Sequence, residues 1–210
     1  MSDELVKYVN QLVDKIGVTA DCRFAAAKRL DTHNRLSLAT TTIVALVLVF
    51  ISSLQLAGFK FGLVEARIVV GVFFLNVFVL VISVVVAKSD FSARRDRLFE
   101  CARRLKQLQE TLRLALVVGS VDETGIKRAQ MEYDQTLSSS ENHKEIDYLS
   151  VQLSSPDKFP WKQESWMSKK RQIVRIALLD LAEEKPLYLA ISGLTTIILF
   201  ASIYFLKNPQ

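Results

Sequence analysis

Two cysteines and two histidines are all the thiol and imidazole in this 210-residue chain, and its seven glycines are scattered. Two lone cysteines make no metal-ligand pattern, and no pair of Cys or His residues has metal-binding spacing. No glycine run forms a phosphate-cradling loop or a dinucleotide fingerprint. A disulfide-stapled secreted domain is also excluded. The most informative shortage is of charge. Three stretches, 36–57, 68–87 and 187–206, contain no Asp, Glu, Lys or Arg. They take 62 residues, and the other 148 carry all 49 charged side chains. Half the residues are hydrophobic, and their uneven placement excludes both disorder and a soluble monomer.

A helix of about 20 apolar residues crosses a hydrocarbon core of roughly 30 Å, and each stretch meets that length. Each centrally placed Leu, Ile, Val or Phe favours insertion by roughly 0.3–0.6 kcal/mol. The predicted architecture is an all-α membrane protein. A transmembrane hairpin of spans 36–57 and 68–87 is joined by a third, C-terminal span at 187–206. That third run is more polar and starts after Pro186, which suits a first helical turn; the other reading of it is an interfacial helix. Residues 1–35 are predicted as N-terminal helices, 88–186 as a cytoplasmic helical region and 207–210 as an external tail. The acidic start Ser2-Asp3-Glu4 and the late first run argue for a retained signal-anchor rather than a cleaved signal peptide.

Orientation follows the basic residues beside each span. Lys28, Arg29 and Arg35 precede the first span, and Lys88, Arg94, Arg95 and Arg97 follow the second. Lys169, Lys170, Arg171, Arg175 and Lys185 precede the third, whereas only Lys207 lies beyond it. The hairpin link holds Lys60 and Arg67. This bias places the N-terminus and the middle segment in the cytoplasm and the C-terminus outside. Residues 89–186 carry 17 basic against 16 acidic groups, so the net charge of +5 reflects topology and no direct nucleic acid binding is expected.

The charged segments read as helices. Leu5, Val9, Leu12 and Ile16 recur at helical spacing, with a break expected near Gly17. Phe91, Leu98, Leu105 and Leu112 repeat every seven residues, with Cys101, Leu108 and Ala115 offset by three. They predict a helix of about 28 residues ending before Gly119, its apolar seam interrupted by Arg94. That seam serves either a parallel oligomeric stalk or packing on the chain's own helices. Asp122 opens a further helix through Ile126, Ala129, Tyr133 and Leu137. Ser138 and Glu141 stand at capping-box spacing, suggesting a new helix start there. Pro156 and Pro160 mark a loop, followed by Trp161 and Trp166, and a basic helix with Ile173 and Ile176 leads to the third span. Strands and internal repeats are absent from the pattern.

Little here resembles catalysis. Ser140, His143 and Asp147 lie within eight residues, and His143 and Asp147, at i,i+4 on one helix, read as a local pair. No enzyme activity and no cofactor are expected. The spans are more informative. Thr41, Ala45, Leu48, Ser52 and Gln55 fall on one face of the first, and Asn76 and Ser83 share a face of the second. Ser192, Thr195, Leu199 and Ser202 do the same in the third. These faces serve either helix packing, with Asn76 cross-linking helices, or a water-filled path. Three spans cannot enclose a conduit alone, so the second reading requires a homo-oligomer.

Two stretches carry a family resemblance. Cys22-Arg23-Phe24-Ala25-Ala26-Ala27-Lys28-Arg29-Leu30, just before a membrane hairpin, resembles the N-terminal motif of the SLATT domains. Glu141-Asn142-His143-Lys144-Glu145-Ile146-Asp147-Tyr148, after a helix containing Tyr133, resembles their Glu-Asn-His and Asp-Tyr motif. The likeness covers roughly residues 20–150. It implies a two-transmembrane antiviral effector that permeabilises the bacterial inner membrane, in abortive infection, when a partner signals. The implied upstream partners are nucleotide second-messenger synthetases, nucleotide-binding sensors or reverse transcriptases. The residues it carries over are Arg23, Phe24, Arg29, Leu30, Tyr133, Glu141, Asn142, His143, Asp147 and Tyr148. Asn142, His143 and Asp147 suit a polar network between helices, with Arg23 or Arg29 pairing to Glu141 or Asp147. The third span departs from a two-span family. The alternative function is a non-conducting membrane anchor or sensor that docks a soluble partner.

Overall fold

The computed structural model describes residues 3–58, 65–159, 170–176 and 178, together with Gly193. Apart from Gly193, the expected third span lies outside the described residues, as do Pro160, Trp161 and Trp166. Every element described is helical: α1 (Asp3–Leu56), α2 (Glu65–Lys88), α3 (Phe91–Val118), α4 (Glu123–Ser138) and α5 (Glu145–Ser154), followed by a 3-10 turn at Pro156–Lys158. They form two units, and α1 contributes to both.

In the unit of residues 33–58 and 65–90, α1 and α2 meet along an aliphatic seam. Val44, Leu48 and Ile51 pack on Val72 and Leu75, with Val47, Val79 and Val86 alongside. The other faces remain bare. Leu46, Val49, Phe50, Phe73, Phe74, Leu80 and Val84 are all more than half exposed. Water does not tolerate so continuous an apolar surface, whereas lipid does. Both helices are long and apolar enough to cross a membrane, and the chain is a membrane protein.

The unit of residues 3–32, 91–159 and 170–176 is built around three helices. Val9, Leu12, Val13, Ile16 and Ala20 of α1 meet Cys101, Leu105, Leu108 and Leu112 of α3 and Ile126, Ala129 and Tyr133 of α4. The heptad seam of α3 is therefore covered by the chain's own helices, and these positions leave nothing for a parallel stalk. Nearer the start of α3, Ala26, Ala27 and Leu30 pack on Leu98 and Phe91. Gly119, at φ +71°, ends α3 with a reversed turn in which the Ser120 N–H donates to the Ala115 carbonyl at 3.0 Å. Asp122 caps α4 by accepting the Gly125 N–H at 2.7 Å.

Two local expectations are corrected. Gly17 does not break α1, which runs through it. A Cβ at Gly17 would lie 2.1 Å from Nε2 of Gln109. That buried amide donates to the Val13 carbonyl at 3.0 Å, so the glycine marks a close approach between α1 and α3. Ser138 does not open a helix with Glu141. It closes α4, its hydroxyl donating to Gln135, and α5 begins only after Lys144.

Alanine in place of glycine inside a helix ordinarily stabilises by about 0.5–1 kcal/mol. Gly17→Ala is expected to destabilise instead, by about 1–3 kcal/mol, because Gln109 must give up Val13. Gly17→Ala/Gln109→Ala should recover most of that loss in denaturant unfolding of the detergent-solubilised protein. A stabilising single substitution would show that close approach is not what selects glycine here.

Candidate functional site

The segment from Ser140 to Tyr148 is bound by arginines from α1 and α3, and at its surface by Arg175, which donates to Glu145 at 2.9 Å. α5 starts without a serine or threonine cap, and Asp147, at its third position, accepts the Lys144 N–H at 2.9 Å. The same carboxylate, 2% exposed, receives both arms of Arg29 from α1. Arg29 Nε donates to Oδ1 at 2.9 Å and Nη2 donates to Oδ2 at 3.2 Å. Two parallel charge-assisted bonds in a buried place are strong and geometrically exacting. Arg23, six positions earlier on α1, donates to the Ser140 hydroxyl at 3.1 Å and to Asn142 Oδ1 at 3.5 Å. Asn142 Oδ1 also accepts the His143 N–H at 3.0 Å. Glu141 turns to α3, where Arg94 donates to both of its oxygens at 2.8–3.2 Å.

A small apolar cluster completes the attachment. Tyr148 meets Phe159 edge-on at 5.5 Å, and Cys22, Val18, Ala25 and Val151 surround them. Asp21 pairs with Lys106 at 3.1 Å and with Lys158. Burial, with the nearby carboxylates of Asp147 and Asp21, pushes the Cys22 thiol up to about 12, so it stays protonated and unreactive. Burial first, and then the charge of Arg23, lowers the pKa of His143 against the opposing pull of Asp147. His143 is therefore held neutral. Among the described residues its buried Nδ1 has no hydrogen-bond partner, and neither has Arg23 Nε.

Several residues singled out in the sequence thus converge: Arg23, Arg29, Asn142, His143, Asp147 and Tyr148. Others go elsewhere. Tyr133 sits in the three-helix core, its hydroxyl 3.2 Å from Thr19 Oγ1 and its ring under the Lys15 ammonium. Phe24 stacks edge-on against Phe99 at 5.3 Å, and Leu30 packs on Leu98. His143 precedes α5, so the expected shared helix with Asp147 does not exist. Arg94, which looked like a flaw in an apolar seam, is the partner of Glu141. A charge interrupting a heptad was the available clue. Ser140 as an acceptor for Arg23 left no comparable trace.

Ser52, Asn76 and Ser83 are exposed beside the α1–α2 seam, whereas Thr41 is half-buried and Leu48, expected on the polar face, belongs to the seam itself. Asn76 is exposed, and its Nδ2 donates to the Val72 carbonyl of its own helix at 2.9 Å, so it does not cross-link these two helices. Ser83 likewise donates to Val79 and Thr41 to Ser37. Ser52 is exposed, and the side chain of Gln55 lies outside the described residues.

Removing one member of the Arg29–Asp147 pair strands the other in a buried place and should cost about 3 kcal/mol or more. Arg29→Met and Asp147→Leu combined should cost less than their sum by roughly 1–3 kcal/mol, measured as a double-mutant cycle. Additive costs would mean the two side chains do not act together. His143 has a second consequence. Its folded pKa lies below the ordinary 6.5, so the unfolded chain takes up the proton first as pH falls. Stability should decline below that value and level off once the folded imidazole is also protonated. His143→Gln should flatten the decline in unfolding midpoints measured across this range.

No curated protein and no solved structure matches the chain. Residues 6–204 match the family described as SMODS and SLOG-associating 2TM effector domain family 5. The matched length takes in the apolar hairpin, both halves of the arginine-bound network and the third apolar run. Since it covers nearly the whole sequence, this chain belongs to the SLATT family of two-transmembrane effector domains.

Proposed function

We propose that the protein is the membrane-permeabilising effector of a bacterial antiviral system, acting as an oligomer in the inner membrane. The observation that carries this reading is the placement of Ser52, Asn76 and Ser83. All three are exposed on helices whose mutual contact is aliphatic. In hydrocarbon the Asn76 amide has, among the described residues, one bond to its own backbone and further donor and acceptor capacity unmet, which is costly unless a further helix, another copy or water meets it. Two helices cannot surround a path, so several copies contribute these faces to it.

The basic residues beside the spans put the N-terminus and the charged helical unit in the cytoplasm, with the tail after 206 outside. In that unit the segment 140–147 rests on α1 and α3 in the closed state. A signal from a nucleotide-signalling partner, as the family's association suggests, shifts the population toward a packing in which this segment is released. Because α1 belongs to both units, rearrangement of its charged half reaches the spans.

Expression of the wild-type chain with its trigger should collapse membrane potential and release a small dye from vesicles holding the purified protein. Asn76→Leu should reduce that release severalfold without lowering membrane insertion. Intact vesicles and a normal potential, together with tight co-purification of a soluble partner, would instead identify a non-conducting anchor.

A further inference from the structure

Four arginines bind the segment 140–147, and three of them face a carboxylate, Arg175 doing so at Glu145 on the surface. Arg29 has Asp147 and Arg94 has Glu141. Arg23 differs. It is only 3% exposed, yet both its acceptors are neutral, and the bond to Asn142 at 3.5 Å is at the limit of a hydrogen bond. Asp147 is nearby, but its oxygens are taken by Arg29 and the Lys144 N–H. A buried guanidinium without its own counter-charge is unfavourable, and its Nε lacks an acceptor among the described residues.

The groups around it leave hydrogen-bonding capacity unmet. Ser140 Oγ accepts from Arg23 and keeps its hydroxyl proton to donate, Asn142 presents its Oδ1 to Arg23, and the buried Nδ1 of His143 is also unmatched among the described residues. The free Nε of Arg23 on a helix, with the Ser140 hydroxyl and His143 on a loop, suits an oxyanion with three or four oxygens, which can meet more than one of these groups at once. Ser140 and Asn142 stand in the non-helical stretch between α4 and α5, and Asn142 is exposed, so an anion can reach Arg23 by displacing a weak contact. Exchange of a neutral acceptor for a charged one strengthens the bond about twofold.

We propose that Arg23, Ser140, Asn142 and His143 form a binding site for a phosphate-class oxyanion, and that its occupation repositions the loop leading into α5. The second half rests on the reading of segment 140–147 as the control element; the binding itself does not. The phosphate is either the free ion or the phosphoryl group of a larger molecule.

The test uses the full chain in detergent at constant ionic strength, titrated with inorganic phosphate, methyl phosphate or acetate. Inorganic phosphate, methyl phosphate or both should raise the unfolding temperature saturably by several degrees, and acetate should not. Whichever acts more strongly names the source. The rate of tryptic cleavage after Lys144 should change over the same concentration range. Arg23→Gln, with helicity checked by circular dichroism, should abolish both responses, whereas Arg97→Gln, an exposed control, should keep them. If Arg23→Gln fails to fold, Asn142→Leu must weaken the apparent affinity at least threefold. Equal responses to acetate, or to phosphate in the Arg23 or Asn142 variant, overturn the site, as does no response at all. Phosphate binding without any effect on vesicle leakage would keep the site and discard its role in opening. Leakage without phosphate binding would discard the site and leave the permeabilising function standing.

Discussion

Asp147 receives three hydrogen bonds on one buried carboxylate, two from Arg29 and one from the N–H that begins its own helix. That single group fixes where α5 starts and where α5 rests. Among the described residues the apolar cluster beside it has three buried members, Cys22, Val151 and Phe159, and α5 also buries Ile146 and Leu149. Attachment of this segment therefore combines apolar burial with the buried Arg29–Asp147 pair.

The hairpin shows a different chemistry. Its two helices meet through Val44, Leu48, Ile51, Val72 and Leu75, an interface that gains nothing from the hydrophobic effect once lipid replaces water. Dispersion between well-fitted side chains holds such helices together, and polar groups would strengthen contacts wherever they meet. Here Asn76, Ser83 and Ser52 do not meet across the α1–α2 contact. Their own helices satisfy part of their hydrogen bonding, and the rest is not met among the described residues. The assembly proposed above follows from that remainder.

Much of this was legible in the residues. The first two charge-free runs fall on α1 and α2, the two helices long and apolar enough to cross a membrane. The seven-residue repeat of Phe91, Leu98, Leu105 and Leu112 marked α3 to within its observed ends, and Asp122 marked the start of α4. The site was less legible. The motif residues named the participants, but Tyr133 belongs to a core, and Arg94 enters only because α3 brings it beside Glu141. The partner of a charged side chain depends on which helices are adjacent, and spacing along one helix carries no record of that.

Gly17 and Asp147 show the division most clearly. By itself the sequence determined the solvent of each segment and its helical period, since both follow from side-chain polarity and local backbone preference. It could not tell a helix-breaking glycine from one that admits a neighbour's amide, nor a carboxylate on a helix face from one that caps and clamps. Those distinctions were decided by tertiary structure, because each rests on an atom from a residue some hundred positions away: Gln109 against Gly17, and Arg29 against Asp147.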